Sequence, residues 1–290
     1  MIESFNISDE ELEKLSKEEL ITIIKEIKRH TKEQGEFLIN ISHDLRNPVN
    51  VILSLIQSSK YNRGNTIEET IKKYEEQGKC IKRNAFKIVK LINNLIDTEK
   101  LENNYYKLNK QNVEVVSVIE NTVMSIECYA RLKGIQLVFD TNIEECMAAI
   151  DVEVIDRVIL NLLSNAIKFS PKNSEIDVCV FVGKESIDIS IKDQGIGIKK
   201  EEQDLIFNRF TQGKAEETYR HRGSGIGLQL SRYLVTLHGG DIRLESEYGK
   251  GSNFIITLPI THIDNSESNL KFMKNNKVEQ LELEFSDIYL

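Results

Sequence analysis

Asp193 ends a strand-like run in which Ile187, Ile189 and Ile191 share one face, and the same parity turns its carboxylate inward. Carrying an apolar face into a carboxylate is costly unless that carboxylate has a partner. Gly195 and Gly197 follow at once, bare backbone that turns sharply and lets a planar ligand come close. An inward acceptor beside such backbone suits an adenine, whose exocyclic amine donates. An ordinary Asp-Gln-Gly turn accounts for the same residues equally well.

Asn161, Asn165, Lys168 and Phe169 fall on one side of a helix read over Val152–Phe169, with Ile155, Ile159, Leu162, Leu163 and Ala166 on the other. Side-chain amides and an ammonium on one face can hold a magnesium ion and phosphate oxygens. A solvated helix face is the commoner origin of such a set. Two asparagines on adjacent turns nevertheless need a reason, because asparagine forms helix poorly.

The run His221-Arg222-Gly223-Ser224-Gly225-Ile226-Gly227-Leu228 feeds an apolar helix that continues to Leu237. Free amides and the dipole at a glycine-rich helix start attract phosphate, and Arg220 and Arg222 add charge. The polar stretch of about 25 residues between Gly197 and Gly223 reads as a lid.

The fourth cluster is Ser42-His43-Asp44-Leu45-Arg46-Asn47-Pro48, inside a long helical pattern. Asp44 can accept from Nδ1–H of His43, which fixes the tautomer and leaves a lone pair on Nε2. Asn47 lies at i+4 on the same helix face. Pro48 removes one helical hydrogen bond and bends the helix just past the histidine.

These groups need elements to hold them. Residues 8–103 contain only one proline and read as two long amphipathic helices, the first opened by a capping box at Ser16–Glu19. Apolar residues recur at helical spacing at Leu20, Ile21, Ile24 and Ile27, again from Phe37 to Leu45, and from Ile81 to Leu95. Asn62-Arg63-Gly64-Asn65 is the turn between them. A hairpin with two apolar stripes buries them most simply as a homodimeric four-helix bundle. From Tyr105 the texture changes. Strands are expected at 135–140, 176–182, 187–192, 241–244 and 254–258, with helices at 115–132, 152–169 and 225–237, an α/β sandwich. The expected organisation is an N-terminal helical segment (1–30), the hairpin (31–104), the sandwich (105–261) and a C-terminal tail (262–290), in which Leu281–Phe285 alternates like an edge strand.

With 38 Lys and Arg against 46 Asp and Glu, the net charge of -8 argues against a nucleic-acid binder. Four well-separated cysteines read as reduced thiols of a cytoplasmic protein rather than a zinc site or disulfide framework. No run approaches the roughly 18 apolar residues of a membrane span, so membrane association would come only through a partner or a further sensor portion.

Taken in order, these elements resemble the sensor histidine kinases of two-component systems. Phe37–Pro48 (FLINISHDLRNP) looks like the family's H box and Asp156–Ser170 (DRVILNLLSNAIKFS) like its N box. Asp193–Gly197 (DQGIG), Phe207–Phe210 (FNRF) and Gly223–Leu228 (GSGIGL) look like its G1, F and G2 boxes. The resemblance covers about residues 30–260 and implies an α+β fold: a dimerisation hairpin followed by the two-layer ATP-binding sandwich shared with gyrase and heat-shock chaperones. It implies His43 as phosphoacceptor, Asp44 as orienting partner and general base, and Asn47 as positioning water for dephosphorylation of a response regulator. It implies Asn165 as principal magnesium ligand with Asn161 assisting, and Lys168 meeting phosphate. Phe169 would lie against adenine, Asp193 would read its amine, and Gly225 and Gly227 would cradle phosphates beside Arg222 and Gly223. ATP, Mg2+, a second copy of the chain and a receiver domain are the expected cofactors and partners. Asp44 stands where many relatives carry Glu, and Ser252 where many carry Thr.

Two other classes share parts of this pattern. An ATP-driven conformational machine has no use for His43 and usually needs a carboxylate where Asn161 stands. A dimeric scaffold would bind nucleotide without transfer. Phosphate on histidine separates the kinase from both.

Overall fold

The computed structural model describes residues 15–59, 66–207, 225–264 and 274–286. The chain divides into two compact units, Met1–Arg46 and Asn47–Leu290. Helix α1, Lys17–Ser59, begins in the first and ends in the second. Its start is the expected capping box: Glu19 N–H donates to Ser16 Oγ at 3.3 Å, and Ser16 N–H returns to the Glu19 carboxylate at 2.8 Å. Helix α2, Ile67–Glu102, is capped by Thr66, whose hydroxyl accepts from Glu69 N–H at 3.1 Å. The expected turn at 62–65 lies outside the described residues.

Beyond α2 the second unit is a two-layer α+β sandwich. Its elements are β1 (Gln111–Glu114), α3 (Val115–Ser125), α4 (Glu127–Leu132), β2 (Gln136–Thr141), β3 (Met147–Ile150) and α5 (Val152–Phe169). There follow β4 (Glu175–Val182), β5 (Ser186–Asp193), α6 (Lys200–Gln203), α7 (Gly227–Leu237), β6 (Asp241–Glu247), β7 (Gly251–Pro259) and α8 (Lys274–Glu284). The main sheet has the order β2-β4-β5-β7-β6, with β2 and β4 parallel and the other pairs antiparallel. Strands β1 and β3 form a separate antiparallel pair.

The sheet's two faces differ as period-2 side-chain geometry requires. Ile176, Val178, Ile187, Ile189, Ile191 and Ile256 are fully buried, whereas Cys179 and Phe181 on the other parity are exposed. The covering layer includes α5, whose Ile155, Ile159, Leu162 and Leu163 are at 0% exposure. Helix α5 runs between the expected bounds because Asp151 caps its first turn and Ser170-Pro171 ends it.

Three expectations need correction. The tail does not form an edge strand: Leu281–Phe285 belongs to α8 and the turn after it. Leu281 and Phe285, both buried, are four residues apart, a spacing that satisfies one helical turn as well as strand alternation. The helical run 115–132 is two helices that meet at Ile126, whose N–H bonds back to Val123. The helix after the glycine run starts at Gly227 rather than Gly225, which takes the left-handed φ of 68°.

The candidate nucleotide ridge and the histidine helix

Asp193 closes β5 with a side chain only 7% exposed. Its Oδ1 accepts from Gly195 N–H at 2.7 Å and from Ser252 N–H at 3.3 Å. Both bonds fall on one oxygen, so among the described residues Oδ2 is left to accept from a ligand. Burial pushes the carboxyl pKa above its ordinary value, against the opposing pull of the two amides. Sequence parity turns this residue inward; the Ser252 amide comes from β7, fifty-nine positions later, beyond the reach of any local period.

The glycines after Asp193 serve packing first. A Cβ at Gly195 would meet Asp193 Oδ1 at 2.6 Å and the Phe169 carbonyl at 3.0 Å. At Gly197, with φ of +65°, it would lie 2.1 Å from the Glu247 carbonyl. The turn is pinned to the β6–β7 hairpin by Gly249 N–H on Ile196 O and Ile198 N–H on Ser246 Oγ. Bare backbone here brings β5, the end of α5 and the end of β6 together.

Helix α5 carries the next groups. Phe169 sits at the Gly195 end, and its ring lies 5.5 Å from Lys168 Nζ. Lys168 itself is 8% exposed. The last carbonyls of α5 are met by Lys133, whose Nζ donates to Lys168 O at 2.8 Å and also to Ile167 O. Asn165 is half-buried and makes no side-chain hydrogen bond among the described residues. Asn161 donates from Nδ2 to Ser231 Oγ at 2.9 Å, which leaves its Oδ1 as the available acceptor. That oxygen faces the start of α7: a Cβ at Gly227 would meet it at 2.6 Å. Among the described residues no side chain caps the amides at the start of α7, and those donors are suited to an anion.

Asp193, Phe169, Asn165, Asn161 and Gly227 thus form one connected ridge. Eight residues of α5 separate Phe169 from Asn161, about 12 Å of helix axis. A buried acceptor stands at one end and uncapped amides at the other, matching a ligand with a base at one end and phosphates at the other. Two amide oxygens between them are the hard donors a magnesium ion takes. Arg222 and Gly223, with Phe210 and Arg220, lie outside the described residues; Phe207 packs edge-on to Phe254 at 6.4 Å, and Arg232 lies over its ring.

His43 belongs to the first unit. It is exposed on α1, and its Nδ1 lies 3.7 Å from Asp44 Oδ1, ion-pair range but longer than a hydrogen bond. Asn47, also exposed, belongs to the second unit. No helix among the described residues is long and apolar enough to cross a membrane.

Comparison with known proteins places both regions. Residues 33–104 match the family described as His Kinase A (phospho-acceptor) domain. Residues 150–262 match the Histidine kinase-, DNA gyrase B-, and HSP90-like ATPase family. Hybrid signal transduction histidine kinase D of Dictyostelium discoideum is 32% identical over 269 residues, covering 89% of this chain and 17% of that protein. Sensor histidine kinase WalK of Bacillus subtilis is 28% identical over 83% of this chain and 39% of its own. The chain therefore spans well under half the length of these relatives. The solved structure of histidine kinase ThkA in complex with response regulator protein TrrA matches in fold, with a TM-score of 0.58 and 23% identity over 86% of this chain and 68% of that one. With a phosphoacceptor helix region and an ATPase sandwich in the same order as these relatives, the chain belongs to the sensor histidine kinases of two-component systems.

Proposed function

We propose that the protein transfers the γ-phosphoryl group of ATP to its own His43, and then to an aspartate of a response regulator. The observation that carries this reading is Asp193, a buried carboxylate with one oxygen committed to backbone amides and the other left for a ligand. An adenine amine is the donor that fits it. Phe169 offers a ring to the base, and Lys168 and the α7 amides offer positive ends to the phosphates. Asn161 and Asn165 would hold Mg2+, which would supply neutralisation of phosphate charge. Arg222 and Gly223 are assigned to the same phosphates on the family pattern.

His43 Nε2 attacks the γ-phosphorus in line: a nitrogen–phosphorus bond forms, the bond to the β-phosphate oxygen breaks, and ADP leaves. Most of the required catalysis is positioning and charge balance. Asp44 orients the ring and takes the proton, which requires its 3.7 Å separation to close. A second copy of the chain covers the apolar residues that the hairpin leaves exposed. Asn47 positions water for removal of phosphate from the regulator. The regulator itself is expected to be a receiver domain, in keeping with the ThkA–TrrA complex. Unpaired cysteines at 80, 128, 146 and 179 and the need for ATP support a cytoplasmic setting.

Incubation with γ-labelled ATP and magnesium tests the reading. Acid-labile, base-stable label is expected in the wild type and none in His43→Gln. Label persisting in the variant overturns the assignment of His43. Confirmed ATP binding with no label in either protein would leave a nucleotide-binding scaffold.

A further inference from the structure

Helix α8 lies beyond both matched family regions, which end at residue 262. It joins two parts of the molecule. Leu281, at 9% exposure, and Phe285, at 0%, sit in the sandwich core, and the Phe285 ring lies 4.7 Å from Tyr129 of α4. The acidic residues interleaved with them go to α2. Lys82 Nζ meets Glu282 Oε1 at 2.8 Å, and Lys90 Nζ lies 2.7 Å from Glu284 Oε2, a pair in which both side chains are largely buried. Lys90 spends an aligned hydrogen bond on the Glu284 carbonyl at 3.0 Å, and Ser164 Oγ of α5 donates to the same carbonyl at 3.3 Å. One peptide oxygen therefore bridges the hairpin helix and the sandwich helix.

The face of α2 that does this is distinct. At about 100° per residue, Lys82, Lys90, Asn94 and Asp97 fall within an arc of roughly 120°. Asn94 and Asp97 hold Arg157 of α5 directly, with Nη2 at 2.8 Å from Asn94 Oδ1. The exposed apolar residues Ile71, Val89, Ile92 and Ile96 lie on a separate arc of the same helix. The leucine–glutamate alternation near the C-terminus thus has a physical reading: apolar groups plug the sandwich, and carboxylates reach lysines on α2.

We propose that α8 is a releasable strap that holds the sandwich against α2, and that its release limits phosphoryl transfer. The proposal rests on the kinase reading, because transfer needs the nucleotide-bearing sandwich free to move. An isolated buried charge is costly, so removing Lys90 leaves the Glu284 carboxylate uncompensated and opposes the strapped state. The equilibrium is therefore two-state and sensitive to groups on α2 that touch neither nucleotide nor His43.

The test uses the full chain with Lys82→Gln and Lys90→Gln together. Both lie on α2 and touch neither nucleotide nor His43, and an unchanged affinity for Mg-ATP verifies that the sandwich stays folded. Amide hydrogen exchange across 278–286 is expected to speed up, and the initial rate of His43 labelling to rise about three- to tenfold. A labelling rate unchanged or lowered, in a preparation whose wild type takes label, overturns the strap as a control and leaves the kinase reading intact. If the wild type takes no label the kinase reading fails, and exchange alone decides: unchanged protection of 278–286 overturns the strap, and lost protection supports it.

Discussion

The hairpin helix α2 and the sandwich differ in what they leave unfinished. The sandwich closes its core between α5 and one face of the sheet: Ile155, Ile159, Ile187, Ile189 and Ile191 are all at 0% exposure. Helix α2 leaves Ile71 at 55%, Ile92 at 42% and Ile96 at 45%. An exposed apolar stripe of this kind marks an interface. The inner face of the sheet is satisfied within the chain, whereas the helix keeps an apolar arc for the second copy proposed above. Assembly and nucleotide chemistry are therefore separable by substitution.

The sharpest way to break that comparison is Ile92→Glu with Ile96→Glu. Four carboxylates brought into one bundle should weaken dimerisation by at least about a hundredfold, read by analytical ultracentrifugation. Nucleotide affinity should not change; a parallel loss of ATP binding would show that the two regions are one cooperative unit. The converse is Ile189→Ala in the sheet, expected to cost about 2–5 kcal/mol of sandwich stability in denaturant unfolding while the dimer persists.

Asp193→Asn comes next. Loss of a charged acceptor should lower ATP affinity about ten- to hundredfold in calorimetric titration. The sign for stability is opposite. The folded carboxyl pKa is raised, so protonation favours the folded state at low pH, and that contribution is lost as pH rises through the raised value. At neutral pH the ionised group is a cost, and the variant should melt no lower than wild type. A lower melting temperature would make Asp193 a structural residue.

The smallest effect concerns His238, at the end of α7. Its Nδ1–H donates to Leu234 O at 2.8 Å, and Nε2 accepts Asp151 N–H at 3.1 Å, so the neutral ring is the folded form. Burial holds its pKa below the usual 6.5. The unfolded chain takes up a proton first, so stability is full above pH 6.5 and falls as pH drops from there toward the lowered value. His238→Gln should flatten that slope in urea titrations run across the window. An unchanged slope would place the acid sensitivity elsewhere.

Much of the ridge was legible because strand and helix periods are local. Parity along Ile187, Ile189 and Ile191 sent Asp193 inward, and the 3.6-residue period put Asn161, Asn165 and Phe169 on one side of α5. The supporting contacts were not legible. Ser231 supports Asn161 from seventy residues away, and Ser252 supports Asp193 from fifty-nine, distances no periodicity spans. Strands β1 and β3 escaped because four residues give too few alternations to count. The tail misled because Leu281 and Phe285 fit periods of two and four alike.

The sheet order has a consequence for synthesis. Strand β5 lies between β4 and β7, and β7 ends at Pro259. At about 5–20 residues per second, the ribosome takes about 3–12 s to travel from Asp193 to Ser252. During that interval the nascent chain holds a central strand with one edge open and a carboxylate without its second amide. We expect chains stalled before residue 251 to be cut readily by protease and chains released after 261 to resist, with chaperone occupancy concentrated between the two.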